Sequence, residues 1–93
     1  MSKLSQTQYG TGIFNKSLYD LRDMHGWTQE EMGRECGGYN AHTIMRVENG
    51  ISGGKLNFWQ AVQTRFNISN EDMWLLMNGE IIDISKYKTQ KGD

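Results

Sequence analysis

Between Trp27 and Gly50 the chain reads WTQEEMGRECGGYNAHTIMRVENG, two short helical patterns held apart by a glycine-led turn. This stretch leaves the chain the least freedom. Thr28 precedes Glu31 by three residues, a T-x-x-E capping box in which each side chain bonds the other residue's backbone N–H. Glu30 and Glu31 place carboxylates in the first turn, where the helix dipole favours negative charge. Met32 and Cys36 then fall four apart on one apolar stripe. Gly37-Gly38 stops that helix, because glycine enters the left-handed region without a Cβ clash. Asn40 is a good N-cap for a second helix with Ile44 and Val47 inward. Its outward positions are Ala41, His42, Met45 and Arg46, and Asn49-Gly50 closes it.

These residues resemble the helix-turn-helix of the Cro and phage-repressor type, the XRE family with its lambda-repressor-like DNA-binding domain. The matching elements are Thr28-Gln29, a small Gly33 in the first helix, Gly37 in the turn, Ile44, Val47 and the closing Glu48-Asn49-Gly50. A small residue at Gly33 lets the second helix cross closely. The chain departs from the family in one respect: Gly37-Gly38-Tyr39-Asn40 carries one residue more than the usual connection. The resemblance also implies that Arg22 pairs with Glu48 as a structural clamp. It extends over residues 14–79 and implies a compact five-helix, all-α fold.

The rest of the sequence is read within that frame. Residues 1–13 are a polar arm, in which Tyr9 and Ile13 are compatible with a short strand. Asn15 caps a helix predicted to run to about His25, with Phe14, Leu18 and Leu21 on one face and Gly26 as its stop. Trp27 is expected to plug between helices. A fourth helix is predicted from Lys55 to Asn67 with Leu56, Trp59, Val62 and Phe66 inward. Ser69 caps a fifth, which carries Met73, Trp74, Leu76 and Met77 and ends at Asn78-Gly79. The methionines and tryptophans read as core. Residues 80–93 open with Glu80–Ser85, a β-prone run followed by a basic tail. A strand there has three settings: paired with the N-terminal segment, paired with a second subunit, or tucked on its own domain.

Composition narrows the function classes. No apolar run approaches the length of a membrane span, so no membrane role is expected. The lone cysteine excludes an internal disulfide and suits a cytoplasmic protein. His25, His42 and Cys36 lack zinc-ligand spacing, and Gly53-Gly54-Lys55 is not a phosphate-binding loop. No catalytic, metal or cofactor site is therefore expected, nor an enzyme. The net charge of −1 does not advertise nucleic-acid binding. Its distribution says more: of eleven acidic residues only Glu48 lies between residues 36 and 70, a span that also holds Arg46, Lys55 and Arg65.

Two functions remain. The first is a sequence-specific double-stranded DNA-binding regulator, most simply a repressor, dimeric on an inverted-repeat operator. The second motif helix would enter the major groove, with His42 and Arg46 at base edges, where arginine can grip guanine through two hydrogen bonds. Gln29, Asn40 and Thr43 would meet base or phosphate, Ala41 and Met45 would face the groove, and Lys55 would meet phosphate. The second is a protein-interaction module, such as an antitoxin whose partner is a toxin or an inhibitor of another regulator.

Overall fold

Where the sequence offers an oxygen before an apolar-periodic run, a helix begins. A computed structural model describes residues 11–87. It contains α1 (Lys16–Met24), α2 (Gln29–Glu35), α3 (Ala41–Glu48), α4 (Leu56–Phe66) and α5 (Asn70–Met77), followed by a 3₁₀ turn, Ile84–Tyr87. Four helices carry a side-chain N-cap. Asn15 accepts from the Leu18 amide at 3.0 Å and Asn40 from Thr43 at 2.9 Å. Thr28 accepts from Glu31, and Ser69 from Asp72, both at 3.1 Å. Glu31 returns the contact to the Thr28 amide at 2.8 Å, which completes the capping box. Each such cap is worth about 1 kcal/mol. The helix without one is α4, whose N-cap is Lys55.

The fold is all-α, as the periodicity predicts. Leu18 and Leu21 of α1, Met32 and Cys36 of the α2 stretch and Ile44 and Val47 of α3 are buried together. The aromatic floor comes from Phe58, Trp59 and Phe66 of α4, and α5 adds Met73 and Leu76. Trp27 plugs between helices as expected, its ring stacked on His25 at 4.4 Å and tilted against Phe66 at 5.9 Å.

Four expectations need correction. Phe14 lies before α1 and is exposed, so that helix's inward face starts at Leu18. In α4 the inward residues are Phe58, Trp59, Val62 and Phe66. Leu56 is the first helical residue, short of the core, and stays 65% exposed. Trp74 is 69% exposed because Met73 and Leu76 already define the buried side of α5. Glu80–Ser85 forms no strand. Its backbone is instead claimed by α1 and α5: Ile82 N–H donates to Ser17 Oγ at 3.0 Å, and Glu80 N–H to the Leu75 carbonyl at 2.9 Å. The segment tucks onto its own domain as irregular chain and 3₁₀ turn. Of the N-terminal expectation, Tyr9 lies outside the described residues, and Ile13 is in a bend.

Asp72 fastens the end of that segment. Its carboxylate accepts from the Tyr87 hydroxyl at 2.5 Å and lies 2.9 Å from Lys86 Nζ. The Tyr87 bond first, then Lys86, holds the Asp72 carboxyl below its usual range.

Candidate nucleic-acid interface

The angle between α2 and α3 is set by backbone contact at the turn. Gly37 and Gly38 take φ of +103° and +84°. The amides of Gly38 and Tyr39 both donate to the Gly33 carbonyl, at 2.8 and 2.9 Å. A Cβ on Gly33 would sit 1.8 Å from the Tyr39 carbonyl oxygen. The small residue is therefore needed by the turn itself, which folds back over α2 just before α3 begins. The Tyr39 ring packs edge-on against Phe58 at 5.4 Å and ties this turn to α4.

The far end of α3 is held by charge. Glu48 is 2% exposed, and its carboxylate takes Arg22 Nε at 2.6 Å and Arg22 Nη2 at 3.2 Å. Arg22 Nη1 donates to the Trp27 carbonyl at 2.9 Å. The Glu48 hydrogen bond, foremost, raises the Arg22 pKa against the opposing effect of burial. The Arg22–Glu48 clamp is thus present. Removing one partner of such a buried pair costs about 3–5 kcal/mol.

Between these anchors α3 presents a solvent face. His42 and Arg46 are exposed, while Ala41, Thr43 and Met45 are half-buried beside them. Asn40 is exposed too, and its Oδ1 accepts from the Thr43 amide. Gln29 does not join this face as a free group: its Nε2 donates to Glu48 Oε1 at 3.2 Å. That bond turns the Gln29 amide nitrogen toward α3, beside the clamp. Sequence spacing carries no signal for it, because the partner is set by the helix–helix angle.

Arg46, Lys55 and Thr43 come together with Tyr39, Val47, Ser52, Gly54 and Phe58 around a cleft of about 250 Å³. Its backbone floor is hydrogen-bonded. The amides of Ile51 and Ser52 donate to the Arg46 carbonyl at 2.9 and 3.1 Å, and Trp59 Nε1 donates to Gly53 O at 2.8 Å. The uncapped start of α4 opens beside this cleft, and the first-turn amides of a helix carry its positive dipole end. Tyr39 was not read from sequence as a site residue. Its position just before an N-cap, in a glycine turn, is the only cue.

The charges sort themselves. Among the described residues Lys16 pairs with Asp20, Arg22 with Glu48, Arg34 with Glu30, Arg65 with Glu35 and Lys86 with Asp72. Arg46 and Lys55 have no carboxylate partner there, and both line the same cleft. Arg65, counted in the basic span by sequence, is withdrawn from it by Glu35 at 2.9 Å and by stacking over Trp27 at 4.9 Å. Glu48, the one acid of residues 36–70, is buried in the clamp, so the surface of that span exposes no carboxylate.

Elsewhere the polar chemistry is structural. Cys36 is fully buried, and desolvation pushes its thiol up to about 12, far from a reactive thiolate. No three His, Cys, Asp or Glu side chains converge as a metal site among the described residues. None of their helices is long and apolar enough to cross a membrane. No protein-family model matches the chain, and comparison with curated proteins and with solved structures found no match.

Proposed function

We propose that this chain is a sequence-specific double-stranded DNA-binding regulator, a repressor of the Cro and phage-repressor helix-turn-helix type acting in the cytoplasm. The observation that carries the reading is the pairing pattern: the two described cations without a carboxylate, Arg46 and Lys55, share one cleft at the exposed side of α3. A polyanion rewards that arrangement. Phosphate contacts supply affinity, and base-edge contacts supply sequence preference.

In this reading α3 lies in the major groove. Arg46 and His42 meet base edges, with Ala41, Thr43 and Met45 lining the groove. Lys55, the open amide end of α4 and Asn40 Nδ2 meet phosphates on either side. No reaction is involved, and neither a metal nor a cofactor takes part.

One eight-residue helix reads too few base pairs to single out a site among roughly 10⁶ competing positions. A two-fold dimer solves this by placing two such helices on one face of an inverted repeat, about 34–36 Å apart. Trp74, Leu75 and Ile81 are the apolar surface for that contact. Leu75 and Ile81 belong to one end of α5 through the Glu80–Leu75 backbone bond. The Ile81–Ile84 run contributes Ile81 alone, since Ile82 is buried and Ile84 half-buried.

The same exposed apolar residues also favour a second reading, in which a protein partner such as a toxin or another regulator covers them. Selection of bound fragments from random duplexes by the purified protein separates the two. Recovery of one inverted-repeat sequence is expected. Recovery of unselected DNA from repeated rounds contradicts the DNA reading and leaves the interaction module.

A further inference from the structure

The proposal concerns Gln29 and rests on the DNA-binding reading above. Glu48 is the last residue of α3, and every helix of the α1–α3 group reaches it. From α1, Arg22 donates to both carboxylate oxygens, Nε to Oε2 at 2.6 Å and Nη2 to Oε1 at 3.2 Å. From the first position of α2, Gln29 Nε2 donates to Oε1 at 3.2 Å. The residue capping α1 joins in through its backbone: Asn15 N–H donates to the Glu48 carbonyl at 2.7 Å. Among the described residues Gln29 supplies the one side-chain bond that ties α2 to this end of α3. At the other end, the Tyr39 carbonyl packed on Gly33 fixes the turn. The two ties hold α3 to α2 at both of its ends.

We infer that Gln29 is a positioning residue for the groove-reading helix: it acts on sequence discrimination through Glu48, without touching DNA. Arg46 precedes Glu48 by two residues on this short helix. A shift at the carboxylate is therefore passed directly to the side chain assigned to guanine. An error of about 1 Å there is enough to spoil a bidentate contact.

The test is a cycle of four proteins: wild type, Gln29→Met, the paired replacement Arg22→Met with Glu48→Met, and the triple variant. Apolar replacement of a whole buried ion pair is often tolerated. Discrimination between the selected operator and random duplex is measured for each folded protein. Gln29→Met is expected to lower it about tenfold in the wild-type background, the size of one hydrogen bond to a charged group. In the paired background, where Glu48 is gone, the same substitution should change it by less than about twofold. An equal loss in both backgrounds overturns the proposal, because Gln29 then reaches DNA itself.

If the paired background does not fold, phosphate-ethylation interference on wild type and Gln29→Met decides. An unchanged set of sensitive phosphates with weaker discrimination supports positioning, and loss of one phosphate from the set overturns it. If wild type selects no sequence, the DNA reading fails by itself. Thermal unfolding of wild type, Gln29→Met, Glu48→Gln and their double variant then tests the tie alone. Non-additive stability losses keep the Gln29–Glu48 connection, and additive ones remove it.

Discussion

The α3 face and the α5 face of this domain are both unfinished, in opposite ways. Beside α3 the unfinished groups are charges: among the described residues Arg46 and Lys55 have no carboxylate partner, and both line one cleft. On α5 they are apolar: Trp74 and Ile81 are each 69% exposed, and Leu75 is partly so. Acids and bases are close to balance over the whole chain, at a net charge of −1. The difference therefore arises from placement. Five described cations are neutralised locally, and the two that remain, Arg46 of α3 and Lys55 at the start of α4, line one cleft. A surface with unpaired positive charge suits a phosphate backbone. A surface with exposed tryptophan and isoleucine suits another protein surface. In the proposed dimer the two faces serve one purpose, since the apolar one sets the spacing at which the charged ones meet the duplex.

The largest expected effect tests whether the α3 face depends on the clamp behind it. Arg22→Met leaves the Glu48 carboxylate buried without its cation. It should cost about 3–5 kcal/mol of stability, read as a large fall in melting temperature, while affinity per folded molecule for a selected duplex changes much less. An unchanged melting temperature would place Arg22 on the surface and detach the clamp from α3.

The α5 face is tested by Trp74→Ser. The side chain is mostly exposed, so the monomer should fold normally by circular dichroism. Dimerisation should weaken by about 1.5–3 kcal/mol per protomer, the value of burying a large apolar side chain. Sedimentation equilibrium of wild type and variant measures it. An identical dimerisation constant would assign this face to a different partner.

A somewhat smaller loss is expected at the turn that joins the two motif helices. Gly33→Ala sets a Cβ against the Tyr39 carbonyl, an overpacking cost of about 1–3 kcal/mol. Urea unfolding should show a lower midpoint. Equal stability would mean that the turn relaxes freely, and the fixed angle of α3 would lose its support.

The smallest effect belongs to the tail. Tyr87→Phe removes the hydrogen bond to Asp72 and should cost about 1 kcal/mol at neutral pH. The folded-state Asp72 carboxyl lies below its unfolded value, so this stabilisation is present above the unfolded pKa. It is lost as the pH falls through the folded value. Wild type and Tyr87→Phe should therefore converge in stability as the pH drops from about 4 downward. A constant difference across that range would show that Tyr87 acts by packing alone.

What could be read from the sequence follows the range of each interaction. Thr28, Asn40 and Ser69 are legible as caps because a cap bonds an amide three residues away. Met32, Ile44 and Val47 are legible because helical period alone turns them inward. Arg22 with Glu48 was legible only through a resemblance, since 26 residues separate them. The Gln29–Glu48 bond is not legible for the same physical reason: that partner exists only once α2 and α3 have crossed. Hydrophobicity alone assigns Trp74 and Leu56 to the core. Their exposure depends on which neighbours, Met73 and Phe58, win the inward side of a short helix. The 80–87 segment reads as β-prone, and the acceptor Ser17 and the acid Asp72 on other elements claim it instead.

The central claim is that Arg46 reads sequence while Lys55, in the same cleft, holds the backbone. It is tested most directly by titrating a selected duplex and a random duplex with wild type, Arg46→Ala and Lys55→Ala over a range of salt. Arg46→Ala should lose about 1–3 kcal/mol of discrimination per half-site with the fold intact. Lys55→Ala should weaken binding to both duplexes alike and reduce the salt slope by about one per protomer. If Arg46→Ala still separates the selected duplex from random DNA as well as wild type does, α3 is not the reading helix and the account fails.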